Sequence, residues 1–274
     1  MIDFSIIIVN YNSGSFLREC IQSIINALEK ISYEIIVVDN MSTDTSFSEC
    51  NEFTDNHLIL IQSGENLGFS KANNIGVKHA SGRLLHFLNP DTRISKVLED
   101  DYQDVLNDYL NNIRRVYVNP LQDKDGTVYY GSDLLPDTLN ILKYYFCQSK
   151  AKLYYIGASI IIPQDTYNKI GGWNERIFMY GEDADLFFRI YKNKLGVIKL
   201  PSIIYHYGGG SSNKTFTNLS REVLIQKSLR IYFQSNHLSL FNYWSFQILV
   251  LLQFISRPKR LWWQIKAYYY SFVD

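Results

Sequence analysis

The stretch that decides the fold is GRLLHFLNPDTRI, residues 82–94. Its apolar part, 84–88, predicts a short buried strand that ends by Asn89, because Pro90 has no N–H to donate to a sheet. Asp91 then follows the carboxyl end of the strand, the edge at which open α/β sheets bind ligands. A carboxylate there can hold a cation or a ribose hydroxyl. The alternative is a turn in which Asp91 makes only a local hydrogen bond.

Strand and helix patterns alternate before this stretch. Apolar runs at 4–9, 33–38 and 58–62 are typical of strands buried on both faces, as in parallel sheets. Helical periodicity predicts helices over 15–28, capped by Ser15, and over 71–80, so that successive strands should be parallel. The predicted fold class is α/β, with a mostly parallel central sheet flanked by helices. The polar clusters that follow each strand should gather along one edge of that sheet.

The patterns after residue 95 are weaker. A helix is predicted over 96–112, and strands over 116–119 and 127–130, joined through a hairpin signal at 123–126. Residues 154–162 predict one core strand stopped by Pro163, followed by a short helix over 164–170. Two further strands are predicted over 197–201 and 203–207. The aromatic stretch 139–146 could form a wall of a substrate pocket or could simply pack.

Three carboxylates lie within four residues, at Glu182, Asp183 and Asp185, where a helix is predicted to begin. Acidic residues suit a helix N-terminus, which is enough to explain Asp185. Mutual repulsion should nevertheless raise the pKa of at least one of the three, as a general base requires. His206 precedes the Gly-Ser run at 208–212. It is a candidate metal or phosphate contact beside a closing loop, the alternative being a packed core histidine.

Composition excludes several classes of protein. The 274 residues carry no net charge, which gives a nucleic-acid partner no support. Cys20, Cys50 and Cys147 are too dispersed for a disulfide framework or a zinc site, and reduced, buried thiols in a cytosolic protein are expected. The N-terminus lacks a signal-peptide pattern, so a cytoplasmic location is expected. The two commonest phosphate-cradling motifs, GxGxxG after the first strand and GK[ST], are absent.

Taken together, the motifs resemble those of the inverting nucleotide-sugar glycosyltransferases of family 2, which have the GT-A fold. They are SIIIVNYN at 5–12, IIVVDNMS at 35–42, ENLGFSKAN at 65–73, NPDT at 89–92, GGW at 171–173, GEDADL at 181–186, and His206. The NPDT form is most similar to the rhamnosyltransferase-like branch. The resemblance covers 3–212. It implies metal-dependent transfer of a sugar from dTDP-rhamnose or a UDP-hexose to a hydroxyl of a glycan acceptor, in bacterial cell-surface polysaccharide synthesis.

The resemblance also implies roles for individual residues. The nucleotide would be held by Asn10, Tyr11, Asn12, Asp39, Asn40, Leu67, Gly68, Lys71, Asn73 and Asn89. Asp91 and His206 would bind Mg²⁺ or Mn²⁺ across the diphosphate, although Asn89 stands where many relatives have a further Asp. Asp183, with Glu182 beside it, would be the general base. Trp173 and Asp185 would lie on the side of the acceptor and the sugar.

The last part of the chain has a different composition. Residues 1–217 are predicted to form the catalytic domain and 218–274 a helical, aromatic-rich extension. No formally charged residue occurs at 231–256, and RPKRLWW follows at 257–263. This composition favours a segment that lies in a membrane interface, on the inner face of the cell membrane, where a lipid-linked glycan would be the acceptor. The alternative is packing on the catalytic domain or on a second subunit, which would make the protein a homo-oligomer.

Two other functions stay open at this point. A non-catalytic scaffold could bind a sugar nucleotide with the same fold, but it would need neither a base nor a metal pair. A sugar nucleotidyltransferase could also use an α/β nucleotide-binding fold, but its usual Gly-rich, basic phosphate loop near the N-terminus is missing here.

Overall fold

The structure is a computed structural model, and it describes residues 1–54, 56–147, 151–208, 217–255 and 257–272. Its strands are β1 (Phe4–Asn10), β2 (Tyr33–Asp39), β3 (Leu58–Gln62), β4 (Leu84–Leu88), β5 (Thr92–Arg93), β6 (Arg115–Val118), β7 (Leu121–Gln122), β8 (Val128–Tyr129), β9 (Ser132–Leu134), β10 (Leu153–Tyr155), β11 (Ser159–Pro163), β12 (Gly196–Lys199) and β13 (Ile204–His206). Its α-helices are α1 (Ser15–Ala27), α2 (Gly68–His79), α3 (Leu98–Leu110), α4 (Thr138–Cys147), α5 (Gln164–Lys169), α6 (Glu182–Lys192), α7 (Asn218–Ser235), α8 (Leu240–Leu252) and α9 (Pro258–Tyr270).

The central sheet has seven strands in the order β12-β6-β11-β4-β1-β2-β3. β1 is parallel to β2 and β4, and β2 is parallel to β3, so the predicted parallel sheet is confirmed. β11 runs antiparallel to both of its neighbours.

Both faces of the central sheet are covered by helices, which explains the unbroken apolar runs of its strands. Ile6 and Ile8 of β1 point into a core with Leu17 of α1. Ile7, on the opposite face, packs in a second core with Ala72 of α2 and Phe187 of α6.

Two strand predictions were wrong. The run 154–162 is divided between β10, which pairs with β9 in a small sheet, and β11 of the central sheet, which includes Pro163. The hairpin partner of β8 is β7 and not β6, because both edges of β6 are already occupied by β11 and β12.

A four-stranded sheet, β5-β13-β7-β8, lies beside the central one. In it His206 of β13 pairs with Thr92 of β5. Residues far apart in the sequence are thereby brought to the end of β4. The Gly-Ser run that was predicted to close over this region lies, from residue 209 onward, outside the described residues.

Two described cysteines agree with expectation, whereas the start of the first helix differs from it. Cys20 and Cys50 are free and buried, as predicted, and burial raises the pKa of the Cys20 thiol to about 12. The side chain of Cys147 is outside the described set. α1 begins at Ser15 with Gly14 as its N-cap residue, at a φ of 57° that suits glycine.

The predicted C-terminal helical extension is present as α7, α8 and α9. Tyr232 and Phe233 of α7, with Tyr243 and Phe246 of α8, join the core that also contains α6. The extension therefore packs through one side on the α/β part of the chain. Within the part of the chain that the structure describes, no helix has both the length and the apolar character needed to cross a membrane.

Candidate active site

A cleft of about 310 Å³ opens at the carboxyl ends of β1, β2 and β4. Its wall is shared by residues that follow these strands and by the start of α6. The lining residues are Val9, Tyr11, Asn40, Asn66, Phe69, Asn89, Pro90, Asp91, Ile156, Gly157, Phe178, Met179, Tyr180, Glu182, Asp183 and His206. The sheet edge thus collects the polar clusters as its topology requires.

The loops after β1 and β2 are tied together by side-chain hydrogen bonds. Asn10 Nδ2 donates to Asp39 Oδ1 at 2.8 Å and to Ser46 Oγ at 2.9 Å. Asn12 Oδ1 accepts from the Thr43 N–H at 2.7 Å. Asn10 and Asp39 are buried next to the cleft and do not line it, so a contact with the nucleotide stays a prediction for both.

Asn40 and Asn66 form the part of the wall next to these loops. Asn40 Nδ2 donates to Asn66 Oδ1 at 2.9 Å, and Asn40 Oδ1 accepts from the Leu67 N–H at 2.8 Å. The start of α2 is held in turn by the Phe69 N–H, which donates to the Phe178 carbonyl at 2.9 Å. Gly68 has a φ of +79°, and a Cβ on it would lie 2.4 Å from that carbonyl oxygen, so this approach requires glycine.

Asp91 and His206 face each other across the neighbouring part of the cleft. Asp91 Oδ1 lies 3.4 Å from His206 Nε2, and both side chains are nearly buried. Nδ1 of His206 is buried and has no hydrogen-bond partner among the described residues. Among the described residues no group of three or more His, Cys, Asp or Glu side chains could hold a metal ion. One carboxylate and one imidazole therefore fit part of the ligand set of a divalent cation.

Glu182 and Asp183, the first two residues of α6, place a carboxyl pair in the cleft wall. Burial raises the pKa of Glu182 to about 7. The pKa of Asp183 is raised well above its usual value, first by burial and then by the charge of Glu182, with the Gly157 backbone N–H opposing the shift. Glu182 Oε2 and Asp183 Oδ1 are buried and accept no hydrogen bond from any residue that the structure describes. The arrangement suits a carboxylate that exchanges a proton with a ligand hydroxyl.

The turn before this pair is supported by α7. Ser228 Oγ donates to the Met179 carbonyl at 2.9 Å, and Met179 lines the cleft. Asn236, just after α7, donates to Asp185 Oδ1 at 2.8 Å. Asp185 Oδ2 accepts from Arg189 Nη2 at 2.6 Å.

Nine of the predicted site residues do not line the cleft: Asn10, Asn12, Asp39, Leu67, Gly68, Lys71, Asn73, Trp173 and Asp185. Asp185 is fully buried in the network just described. Trp173 is 1% exposed and packs edge-on against Phe69 at 5.4 Å between ring centres. Asn73 is buried and donates to the Phe69 carbonyl at 3.0 Å, and Lys71 is exposed on α2. A contact of these residues with sugar, acceptor or nucleotide stays a prediction.

Sequence reasoning missed part of the cleft wall. Gly157 is the clearest case, since a Cβ there would lie 2.9 Å from Asp183 Oδ1. A glycine inside a predicted strand is a signal of such a close approach, and it could have been read that way. Asn66 lies inside the quoted motif at 65–73, and the segment 178–180 directly precedes the motif at 181–186, but no pattern in the sequence pointed their side chains at the cleft.

Comparison with known proteins gives one clear family. The model of the family described as glycosyl transferase family 2 matches residues 5–164. Over 207 residues the chain is 28% identical to the low-salt glycan biosynthesis hexosyltransferase Agl10 of Haloferax volcanii, covering 71% of this chain and 64% of that protein. Two further relatives, 39% and 38% identical, are matched over 14% and 12% of their lengths. The chain thus spans less than two thirds of each of these three proteins.

Solved structures share the fold. S. aureus TarS 1–349 in complex with UDP-GlcNAc superposes with a TM-score of 0.58 at 17% identity, covering 97% of this chain and 89% of that one. GalNAc-T7 with UDP, GalNAc and Mn²⁺ has a TM-score of 0.58 at 14% identity, covering 94% and 58%.

The α/β sheet and its likeness to these structures define a fold of the GT-A class. The chain belongs to glycosyl transferase family 2, whose model matches more than half of it. The resemblance inferred from the motifs is thereby confirmed at the level of the family and of the fold.

Proposed function

We propose that the protein transfers a sugar from a nucleoside-diphosphate sugar to a hydroxyl group of a glycan, with inversion at the anomeric carbon. The observation that carries this proposal is the buried Asp183 carboxyl, which shares one cleft with Asp91 and His206. A proton acceptor and two candidate cation ligands in the same small space are what such a transfer requires.

The proposed chemistry is a single displacement. Asp183 takes the proton of the acceptor hydroxyl while the hydroxyl oxygen forms its bond to the anomeric carbon. The bond from that carbon to the diphosphate oxygen breaks on the opposite face and leaves its electron pair on the diphosphate. Mg²⁺ or Mn²⁺ held by Asp91 and His206 would neutralise the charge that develops there.

The donor we infer is dTDP-rhamnose or a UDP-hexose. Tyr11 and Asn40 line the cleft next to the loops after β1 and β2, where a pyrimidine base would lie. The binding of UDP-GlcNAc by TarS, a protein of the same fold, supports a UDP-linked donor. The NPDT motif at 89–92 supports dTDP-rhamnose.

The setting we infer is bacterial cell-surface polysaccharide synthesis at the cytoplasmic face of the cell membrane. In this view residues 1–217 are the catalytic domain, and 218–274 bring it to a lipid-linked glycan. The aromatic and basic composition of the extension supports this view.

The test is product analysis with each candidate donor and a glycan acceptor. Transfer should release free nucleoside diphosphate in step with glycoside formation, and NMR of the product should show the anomeric configuration inverted. Release of pyrophosphate would identify a nucleotidyltransferase instead. Tight donor binding with no turnover on any glycan would identify a scaffold.

A further inference from the structure

A chain of buried polar side chains runs between the three helices of the extension, beside their aromatic contacts. Gln226 of α7, Gln247 of α8 and Gln264 of α9 are 3%, 5% and 8% exposed. Gln247 Nε2 donates to Gln226 Oε1 at 2.8 Å, and Gln226 Nε2 donates to Gln264 Oε1 at 3.4 Å. Gln264 Nε2 then donates to Glu222 Oε2 at 2.9 Å. Side chains that a water-facing helix would normally present outward are thus used inside the bundle.

The outward side of the same helices is apolar. On α8 the exposed residues recur at spacings of three and four, so that they form one stripe: Phe241, Trp244, Ile248 and Leu252. Phe241 is 82% exposed. Trp262, Ile265 and Tyr269 form a similar stripe on α9. Compared with a helical bundle in water, this bundle therefore has some of its polar side chains inside and some of its apolar side chains outside.

Helix α4 of the catalytic part extends this surface. The Thr138 N–H donates to Asn242 Oδ1 at 2.9 Å, and Asn242 Nδ2 donates to Asp137 Oδ2 at 2.6 Å, so α4 is fixed beside α8. Its exposed side chains include Phe146, at 83%. The apolar face is defined here as Leu139, Leu142, Tyr145 and Phe146 of α4 together with the two stripes on α8 and α9.

A basic cavity of about 360 Å³ adjoins the apolar face at α4. Leu139 belongs to both, and the cavity wall also carries Lys143, Lys152 and Lys192. Within the part of the chain that the structure describes, none of these lysines forms an ion pair; Lys152 Nζ lies 5.3 Å from the ring centre of Tyr191. Asp137, whose Oδ2 accepts from Asn242 Nδ2, also lines the cavity, so the three lysines leave an excess of positive charge beside an apolar border.

The charged side chains along α8 and α9 have one sign. No Asp or Glu occurs at 223–273, whereas Arg257, Lys259, Arg260 and Lys266 lie at the start of α9 or along it. An apolar face bordered by cations complements a bilayer whose surface carries anionic headgroups. A second copy of this chain would bring the same positive charges together.

We propose that the apolar face and the basic cavity dock on an anionic lipid bilayer, with a phosphate-bearing headgroup in the basic cavity. α4 and the cavity lie next to β10, and the residues after β10, Ile156 and Gly157, line the active-site cleft. Docking therefore brings the cleft to the lipid surface, where a lipid-linked glycan presents its hydroxyl. Only this last consequence rests on the proposed function, because the docking itself needs no transfer.

The experiment is co-sedimentation of the full chain with phosphatidylcholine vesicles, with and without phosphatidylglycerol. Binding should require phosphatidylglycerol and weaken with salt. Changing Lys143, Lys152 and Lys192 together to Gln should weaken binding to the anionic vesicles by about tenfold or more, since each basic residue near such a surface contributes measurably. The matched control changes Lys78, Lys124 and Lys169, which are exposed elsewhere, and should bind like the wild type. Equal loss in both variants, or no binding by the wild type, would overturn the proposal.

Two further experiments identify what binds to the apolar face and to the basic cavity. F146S/F241S/W262S should lose vesicle binding, while V97S/L110S/V128S, at exposed sites elsewhere, should keep it. A wild-type dimer that becomes monomeric in the first variant, without vesicle binding, would assign the face to a second copy instead. A different outcome is that inorganic pyrophosphate stabilises the wild type against unfolding and fails to stabilise the Lys143/Lys152/Lys192 variant. If the wild type also did not bind vesicles, this result would assign the cavity to a soluble phosphate.

The result can be separated from the proposed function. Thermal shifts with UDP and dTDP should be unchanged in all these variants. The release of nucleoside diphosphate during transfer to a water-soluble acceptor should be unchanged as well. Vesicle binding without any transfer would refute the proposed function and leave the docking surface standing. Transfer without vesicle binding would refute the docking surface and leave the proposed function standing.

Discussion

Asp91 Oδ1 lies 3.4 Å from His206 Nε2, although one residue follows the fourth strand and the other ends the last. The backbone fixes this relationship. β5 and β13 pair antiparallel, and the Tyr207 N–H donates to the Asp91 carbonyl at 2.9 Å. The two side chains therefore meet without depending on a ligand to bring them together.

Asp91→Asn should remove the metal-dependent part of nucleotide binding, because an amide replaces the one carboxylate of this pair. In thermal-shift measurements with UDP or dTDP, a ligand at 100 times its Kd stabilises by about 2.7 kcal/mol. The increment that Mn²⁺ adds should be present in the wild type and in Asp104→Asn, an exposed control on α3. An unchanged increment in Asp91→Asn would place the cation elsewhere.

Asp183→Asn should lower the rate of transfer by about 10²- to 10⁴-fold, the usual contribution of a general base. The amide occupies the same space but cannot take the proton of the acceptor hydroxyl. The thermal shift with the donor nucleotide should persist, so that a loss of folding is excluded. Near-normal turnover would remove Asp183 from the mechanism and make Glu182 the next carboxylate to test.

The stability of the fold should depend on pH through Glu182. Burial raises its pKa from 4.5 to about 7, so the folded state holds more protons than the unfolded state between these values. The free energy of unfolding therefore falls as pH rises through this window. In Glu182→Gln this decrease should be reduced, which makes the variant more stable than the wild type at pH 8 by up to about 3 kcal/mol. Denaturant titrations at pH 5 and pH 8 measure the difference, and parallel pH profiles would contradict it.

Gly157→Ala should impair catalysis while the protein still binds nucleotide. The added Cβ would lie 2.9 Å from Asp183 Oδ1 and 3.2 Å from the Phe69 ring, so the carboxyl must move. A displacement of about 1 Å at a reacting group can cost roughly 10²-fold in rate. Gly196→Ala is the matched control, since its Cβ would approach nothing closer than 3.7 Å. Equal rates in the two variants would show that Asp183 tolerates the displacement.

The sequence predicted best those elements that have a strand-ending or helix-ending residue at both ends. β4 has its predicted bounds because Gly82 precedes it and Asn89-Pro90 follows it. The sequence did not predict that 154–162 is divided into two strands. The apolar residues of this run suit either sheet, and only the strands with which they pair show which sheet each half joins. Partner choice depends on contacts between distant segments, which a local pattern does not contain.

The candidate site was predictable in its motifs but not in its geometry. Asp91, His206, Glu182 and Asp183 were all identified from their residue types and neighbours, and all four line the cleft. Which carboxylate of the acidic run faces the cleft could not be read from spacing alone. In the structure Asp185 accepts hydrogen bonds from Arg189 and Asn236, and Asn236 lies beyond the region of the family resemblance.

The hydrogen bonds from α7 to the turn before α6 have a consequence for protein engineering. A truncation at residue 217, chosen to isolate a catalytic fragment, would delete Ser228 and Asn236, and with them the donor to the Met179 carbonyl and one of the donors to Asp185. The fragment would keep every residue of the proposed chemistry and still lose the support of its catalytic turn. The boundary between the two regions is thus a boundary in sequence only, and variants of the extension should be made by substitution within the intact chain.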